Sequence, residues 1–271
     1  MKAVLPLLAA GMFAAPALGA FENFDGYANP PGNGSTFGNS GGGSSGGIAW
    51  TGAWGEGAAF QSASVFEFNL GTHSTVTSTN PTAEGTAGTI EAIRGFDAQS
   101  NTTTWIYFIM AAGKDGGFVT TDSYGGIGLY EGGTEKFLIG QRYQESNWGA
   151  TASGNLNGQG ASSSTAIGNF SAKLFVAKLD QVANELTLWI EPDLTLLESQ
   201  NTPALTLSYG GNDDDVDSIR LRAGNGGTGN KWQWDNLNVT GSTPFQIPEP
   251  ASVALFGAGL ALMAVRRRQS V

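Results

Sequence analysis

The sequence has 271 residues and a formal net charge of −10, with 41 glycines, one histidine (His73) and no cysteine. These counts exclude a disulfide framework, a thiolate zinc site and a cysteine nucleophile. A Ser-His-Asp triad would require His73 as its base. The acidic balance disfavours nucleic-acid binding, which needs lysine and arginine to neutralise phosphates.

Residues 1–20 have the layout of a secretory signal peptide. Lys2 precedes an apolar run, and small residues follow at Ala17, Gly19 and Ala20. We expect cleavage at the Ala20–Phe21 bond. The alternative is an uncleaved anchor, which is disfavoured because the run is short and contains two prolines.

Residues 21–245 show strand-length patterns and almost no helical ones, which predicts one all-β antiparallel sandwich or barrel. The run 105–110 is apolar throughout, so we expect a central strand that is covered on both faces. The sequences EGGT and DQVAN predict two hairpins. In 231–240 the apolar residues change from even-numbered positions (Trp232, Trp234) to odd-numbered ones (Leu237, Val239), which predicts a β-bulge near Asp235 and Asn236. The predicted strands are 64–70, 105–110, 127–130, 136–139, 173–179, 185–190, 218–223 and 231–240.

Three stretches rich in Gly, Ser, Thr and Asn (30–47, 72–89 and 150–164) are interpreted as long surface loops. Trp189 lies on the polar side of its predicted strand. We therefore expect it to stack on Arg220 or Arg222 across the sheet.

Four aromatic residues that we expect in glycine-rich loops are candidates for stacking on sugar rings: Trp50, Trp54, Tyr124 and Trp148. An aromatic ring can stay partly wet and partly buried at such a position. The alternative is that they cover the ends of the sandwich as part of its core.

The densest acidic cluster contains Asp213, Asp215 and Asp217, which are candidate calcium ligands because calcium takes six to eight oxygens. The spacing does not match the twelve-residue calcium loop between two helices, and a solvated turn is the alternative. His73 stands in a Thr/Ser-rich stretch, where we expect a solvated loop histidine.

The C-terminal segment 246–271 combines three elements. Pro248, Glu249 and Pro250 precede an uncharged run at 251–265, and Arg266, Arg267 and Arg268 follow it. A helix over this run spans about 22 Å, short of the ~30 Å hydrocarbon core, and the arginines should stay cytoplasmic. A plain tail anchor is the alternative.

This tail resembles the PEP-CTERM sorting signal of Gram-negative bacteria. The resemblance implies that a membrane-integral exosortase recognises and removes the tail. It also implies that the protein passes through an inner-membrane intermediate and is then released to, or attached at, the outer surface and its polysaccharide matrix. Without both predicted address segments, residues 21–247 have 9 basic and 22 acidic residues, a formal charge of −13.

A second resemblance covers most of 21–240. FENFDGY, the two tryptophans of WTGAW, GIGLYEGGTEKFLIG, LTLWIEP and a final WQWDNLNV are similar to concanavalin A-like (LamG-type) jelly rolls. It implies two curved antiparallel sheets with adjacent first and last strands, and rim calcium in some members.

Laminarinase-type relatives of that fold need a Glu-x-Asp-x-x-Glu pattern, which is missing here. Glu191 and Asp193 begin it, but the next glutamate is Glu198. We therefore predict a non-enzymatic exported protein that binds glycan or exopolysaccharide. The alternatives are a purely structural matrix protein and, less favoured, a glycoside hydrolase.

Overall fold

The computed structural model describes residues 20–22, 48–51, 61–63, 67–69, 75–77, 82–86, 90–114, 121–153, 156, 159–210, 214–224 and 230–245. Nearly all of them lie in strands or in the turns between strands. The strands are β1 Ala20–Glu22, β2 Gln61–Ala63, β3 Glu67–Asn69, β4 Thr75–Thr77, β5 Thr82–Thr86, β6 Ile90–Gln99, β7 Thr103–Lys114, β8 Tyr124–Glu131, β9 Thr134–Gln141, β10 Asn147–Ala152, β11 Gly160–Ala166, β12 Lys173–Asp180, β13 Glu185–Ile190, β14 Leu205–Ser208, β15 Val216–Gly224 and β16 Asn230–Thr240. A short 3-10 helix covers Glu198–Gln200.

Within the described ranges, the strands form two large antiparallel sheets and the small pair β3–β4. The first sheet has the order β14-β13-β12-β7-β16-β5-β2, with β1 beside β16. The second has the order β11-β10-β9-β8-β15-β6. The expected all-β two-sheet architecture is confirmed, and Phe21 of the first strand lies opposite Asn238 of the last.

The main core lies between the two sheets. Alternate residues of each strand point into it, as the twofold side-chain period of a strand requires. From β12 these are Phe175, Ala177 and Leu179, all completely buried. Trp232 and Trp234 contribute the largest buried rings from β16.

A second, smaller core covers the outer face of the first sheet. Trp105 and Ile109 of β7 point into it, and Phe245 closes it from the chain that follows β16. Its other buried members are Leu174, Val176 and Trp189. The central strand β7 is therefore covered on both faces, as its continuous apolar run predicts.

Both predicted hairpins and the bulge are confirmed. Gly132 and Gly133 connect β8 to β9 with φ angles of 53° and 89°, which is the left-handed conformation of a type I′ turn. In β16 the register shifts between Asp235 and Asn238, and Asn236 has a φ of 49°. The shift turns the apolar residues on both sides of it into the same core.

The loop interpretation is wrong for two of the three Gly/Ser-rich stretches. Strands β4 and β5 lie inside 72–89, and most of 150–164 belongs to β10 and β11. Strand β11 is an edge strand with the sequence GASSSTA, held by backbone pairing to β10. Such a strand buries little side chain, so it lacks the alternation that identifies other strands. The stretch 30–47 lies outside the described residues.

The expected stacking of Trp189 on an arginine is also wrong. Trp189 belongs to the first sheet and stacks on Trp105 with ring centres 5.9 Å apart. Arg220 and Arg222 belong to the second sheet and lie over the rings of Tyr130 and Tyr124, at 3.9 and 5.2 Å. Strand order places these residues in separate sheets, which no local pattern reveals.

Candidate functional site

A groove of about 570 Å³ lies on the outer face of the first sheet, over β12, β13 and β14. Its floor includes Lys178, Thr187 and Thr206, which stand side by side because strand register places them directly opposite one another. Chain 197–203 forms the facing wall, and Thr243 contributes from the segment after β16. The lining residues are Lys178, Glu185, Thr187, Trp189, Leu197, Glu198, Ser199, Asn201, Pro203, Thr206 and Thr243.

The wall of the groove is held by side-chain hydrogen bonds to its own backbone. The Asn201 amide nitrogen donates to the carbonyl oxygens of Asp193 and Leu197, at 3.0 and 3.1 Å. Its amide oxygen accepts from the Asp193 backbone nitrogen at 2.8 Å. One side chain of the wall is therefore bonded both to Asp193, which precedes the wall, and to Leu197, where the wall begins.

Trp189 joins the wall to the floor. Its indole nitrogen donates to the Asn201 carbonyl oxygen at 3.2 Å, and its ring packs against Trp105 and Phe245. The side chain is only 3% exposed, so it supports the groove and offers little open ring face. The groove therefore combines hydroxyl, amide and charged side chains with apolar surface from Trp189, Leu197 and Pro203.

Of the two glutamates in the groove, Glu198 forms an ion pair with a described residue and Glu185 does not. Lys178 forms an ion pair with Glu198 at 3.1 Å and also lies 5.6 Å from the centre of the Trp105 ring. Glu185 accepts a hydrogen bond from the Thr187 hydroxyl at 3.0 Å. Among the residues that the structure describes, no lysine or arginine forms an ion pair with Glu185.

Of the four aromatic residues predicted to stack on sugars, Trp50 and Trp148 lie far apart. Trp50 packs edge-on against Phe96 of β6, with Arg94 lying 4.6 Å from its ring centre. Trp148 lies on β10, four strand positions away in the sheet order, or roughly 19 Å at the usual strand spacing.

Two of these positions also differ from the predicted loop setting. Trp148 is a strand residue with 0% exposure, packed edge-on against Phe175 at 5.1 Å, so its ring face is closed to a ligand. The loop prediction is wrong there. Tyr124 begins β8 and lies under Arg222. Trp54 lies outside the described residues.

The acidic cluster is partly used by the fold itself. Asp217 accepts hydrogen bonds from the Gly132 backbone nitrogen and the Ser218 hydroxyl, at 3.0 and 2.9 Å, and so fixes the β8–β9 turn. Asp215 is half-buried beside it, and Asp213 lies outside the described residues. No group of three potential ligands able to hold a metal ion occurs in the part of the chain that the structure describes.

Asp214, which sequence reasoning did not single out, is the buried member of this cluster. It is 5% exposed and accepts a 2.7 Å hydrogen bond from the Tyr209 hydroxyl. Burial, this hydrogen bond and the nearby carboxylates raise the pKa of Tyr209 well above its ordinary value. In the sequence, the only signal for the Tyr209–Asp214 hydrogen bond is that the two residues lie five positions apart.

The carboxylates weighed for hydrolysis have structural partners. Glu191 accepts from the Leu174 backbone nitrogen at 2.9 Å and pairs with Lys173 at 3.0 Å. Asp193 accepts from the backbone and the hydroxyl of Thr195. Glu198 pairs with Lys178, as described above. His73 lies outside the described residues.

Residues 246–268 match the family model of the PEP-CTERM protein-sorting motif. The chain therefore carries this motif, and the match spans the predicted positions 248–250 and 266–268. No curated protein matches the sequence. Within the described ranges no helix is long and apolar enough to cross a membrane, and segment 251–265 lies outside them.

Solved structures with a similar arrangement are 8–10% identical to this chain. A sialidase matches 65% of this chain and 16% of its own, with a TM-score of 0.43. An alginate lyase from Corynebacterium sp. matches 59% of this chain and 76% of its own, with a TM-score of 0.42. The lectin UEA-II complexed with galactose matches 66% of this chain and 99% of its own, with a TM-score of 0.38. The matching region thus spans about a sixth of the sialidase.

Proposed function

We propose that this chain is an exported, exosortase-processed protein of the cell surface or extracellular matrix, and that its sandwich is a non-enzymatic glycan-binding domain. The sorting motif at 246–268 carries the first part of this proposal. The signal-peptide pattern at 1–20 supports it, because both segments direct the domain across the inner membrane.

The groove over β12, β13 and β14 supports the second part of the proposal, glycan binding. Sugars present many hydroxyl groups, and a groove of this size lined by Thr187, Asn201, Thr206 and two glutamates offers matching donors and acceptors. Its wall is held in place by the Asn201 hydrogen bonds before any ligand arrives, which lowers the entropic cost of binding.

The structural roles of Glu191, Asp193 and Glu198 support the non-enzymatic assignment. Glycoside hydrolysis needs one carboxyl as an acid and a second as a nucleophile or base across the scissile bond. Glu191 instead accepts a hydrogen bond from the Leu174 backbone nitrogen of β12, Asp193 accepts from Thr195, and Glu198 forms an ion pair with Lys178.

Sorting is tested by fractionating the host cells and determining the mass of the mature C-terminus. We expect the outer-surface or extracellular form to lack Arg266, Arg267 and Arg268. A mature protein that retains these arginines in the inner membrane contradicts the proposal and favours a plain tail anchor.

Glycan binding is tested by titrating the full-length chain with exopolysaccharide from its host, with and without calcium. We expect saturable binding that Asn201→Ala weakens at least tenfold. Absence of binding in both conditions leaves the purely structural matrix role. Release of reducing ends during the titration contradicts the non-enzymatic assignment.

A further inference from the structure

The hairpin beside the groove carries two like charges directly opposite each other. Asp180 ends β12 and Glu185 begins β13, and the two are cross-strand partners. Like charges in this position destabilise a sheet. The repulsion between the two carboxylates must therefore be offset, either by hydrogen bonds that each carboxylate makes within the fold or by a cation that binds near them.

Asp180 has a structural reason to be there. Its carboxylate accepts a 3.0 Å hydrogen bond from the backbone nitrogen of Ala183 and so holds the turn between β12 and β13. Glu185 has no such role: among the residues that the structure describes, its carboxylate accepts a hydrogen bond only from Thr187, two residues along its own strand. Glu185 lines the groove.

The groove has an excess of negative charge. Lys178 is satisfied by Glu198 and by the face of Trp105, which leaves Glu185 as the carboxylate available to a ligand. The formal charge of −13 on residues 21–247 adds a long-range field of the same sign. This field attracts polycations and repels uronate or sulfated polymers at low salt.

We propose that the groove binds an amine-bearing glycan, with the Glu185 carboxylate accepting a charge-assisted hydrogen bond from a protonated amino group of the sugar. This inference rests on the proposed glycan-binding function and specifies its ligand class. An amine satisfies the geometry better than calcium, because it needs one or two acceptors whereas calcium needs six to eight oxygens. Metal-holding groups are absent from the described residues.

The test is calorimetric titration of the full-length chain with three probes of equal length: a glucosamine oligomer, its N-acetylated form and a uronate oligomer. Titrations are performed at a pH that keeps the amine protonated. We expect the glucosamine oligomer to bind at least about tenfold more tightly than the N-acetylated one, and more weakly as salt increases. The uronate oligomer should not bind.

The variant Glu185→Gln removes the negative charge of this side chain while keeping its contact in the fold. The amide oxygen still accepts from Thr187, while the repulsion with Asp180 disappears, so the variant should fold and unfold at an equal or higher temperature. We expect it to lose about tenfold in affinity for the glucosamine oligomer. Asp122→Asn, in an exposed turn outside the groove, removes the same formal charge and should bind as the parent chain does.

The outcomes distinguish the two proposals. Equal binding of the amine and N-acetylated probes, unaffected by Glu185→Gln, overturns the amine assignment and leaves glycan binding in place. Failure of all three probes and of the host exopolysaccharide overturns glycan binding itself. Calcium binding that depends on Glu185 and displaces the glucosamine oligomer also overturns the amine assignment.

Discussion

Phe245, the last residue that the structure describes, should stabilise the groove side of the first sheet. Its ring is 3% exposed and packs edge-on against Trp105 and Trp189, with ring centres 5.8 and 5.2 Å apart. Replacing a buried phenylalanine by alanine removes the burial of the ring and leaves a cavity, which costs about 3–5 kcal/mol. Phe245→Ala should therefore lower the free energy of unfolding by about that amount.

Urea unfolding followed by tryptophan fluorescence measures this loss, because Trp105 and Trp189 report on the affected face. With a slope of about 2–3 kcal/mol per molar urea, the midpoint should fall by about 1–2.5 M. Val182→Ala is the control, because that side chain is 74% exposed in the turn of the β12–β13 hairpin and should shift the midpoint little.

A loss below about 1 kcal/mol for Phe245→Ala refutes the reasoning, because the outer face of the sheet would then gain little from this contact. The same result would move the boundary of the folded domain towards β16. A loss of the expected size instead shows that Phe245, which directly precedes the sorting motif at 246–268, belongs to the folded domain.

Three further predictions concern the wall, the buried tyrosine and a turn. Asn201→Ala removes the side-chain bonds that join Asp193 to the wall and should cost about 1–3 kcal/mol in chemical unfolding, together with glycan affinity; unchanged values for both contradict its role. The raised pKa of Tyr209 means that folding favours the protonated phenol, so stability is complete below the ordinary value of 10.0 and falls as pH rises above it. Melting temperatures across that range should show the decline, and Tyr209→Phe should flatten it. Gly133→Ala forces alanine to a φ of 89° and should cost about 1–2 kcal/mol in urea unfolding, whereas Gly241→Ala, whose added Cβ meets no atom, should cost little.

Several elements of this fold were predictable because their signals are local. The two glycines of EGGT require a turn with positive φ, and the apolar residues on either side set the strands β8 and β9. The phase slip in 231–240 identified the bulge of β16, because a strand that keeps one face in a core can change parity only by inserting residues.

Other elements were not predictable because their stabilising partners are distant. Strand β11 has little apolar side chain and exists because β10 pairs with its backbone. The complete burial of Trp148 depends on Phe175, which comes from the opposite sheet. A glycine-rich context is therefore compatible with either a loop or a tightly packed strand, and only the packing partner distinguishes them.

The sequence by itself determined the sorting motif, the all-β class and most central strands, because each depends on residue order within a short segment. Only the tertiary structure decided the groove, because strand register aligns Lys178 with Thr187 and Asn201 holds the returning chain above them. It also decided which glutamate is neutralised: Glu198 meets Lys178, whereas Glu185 faces Asp180. These pairings join segments that are separated in sequence, so no local pattern encodes them.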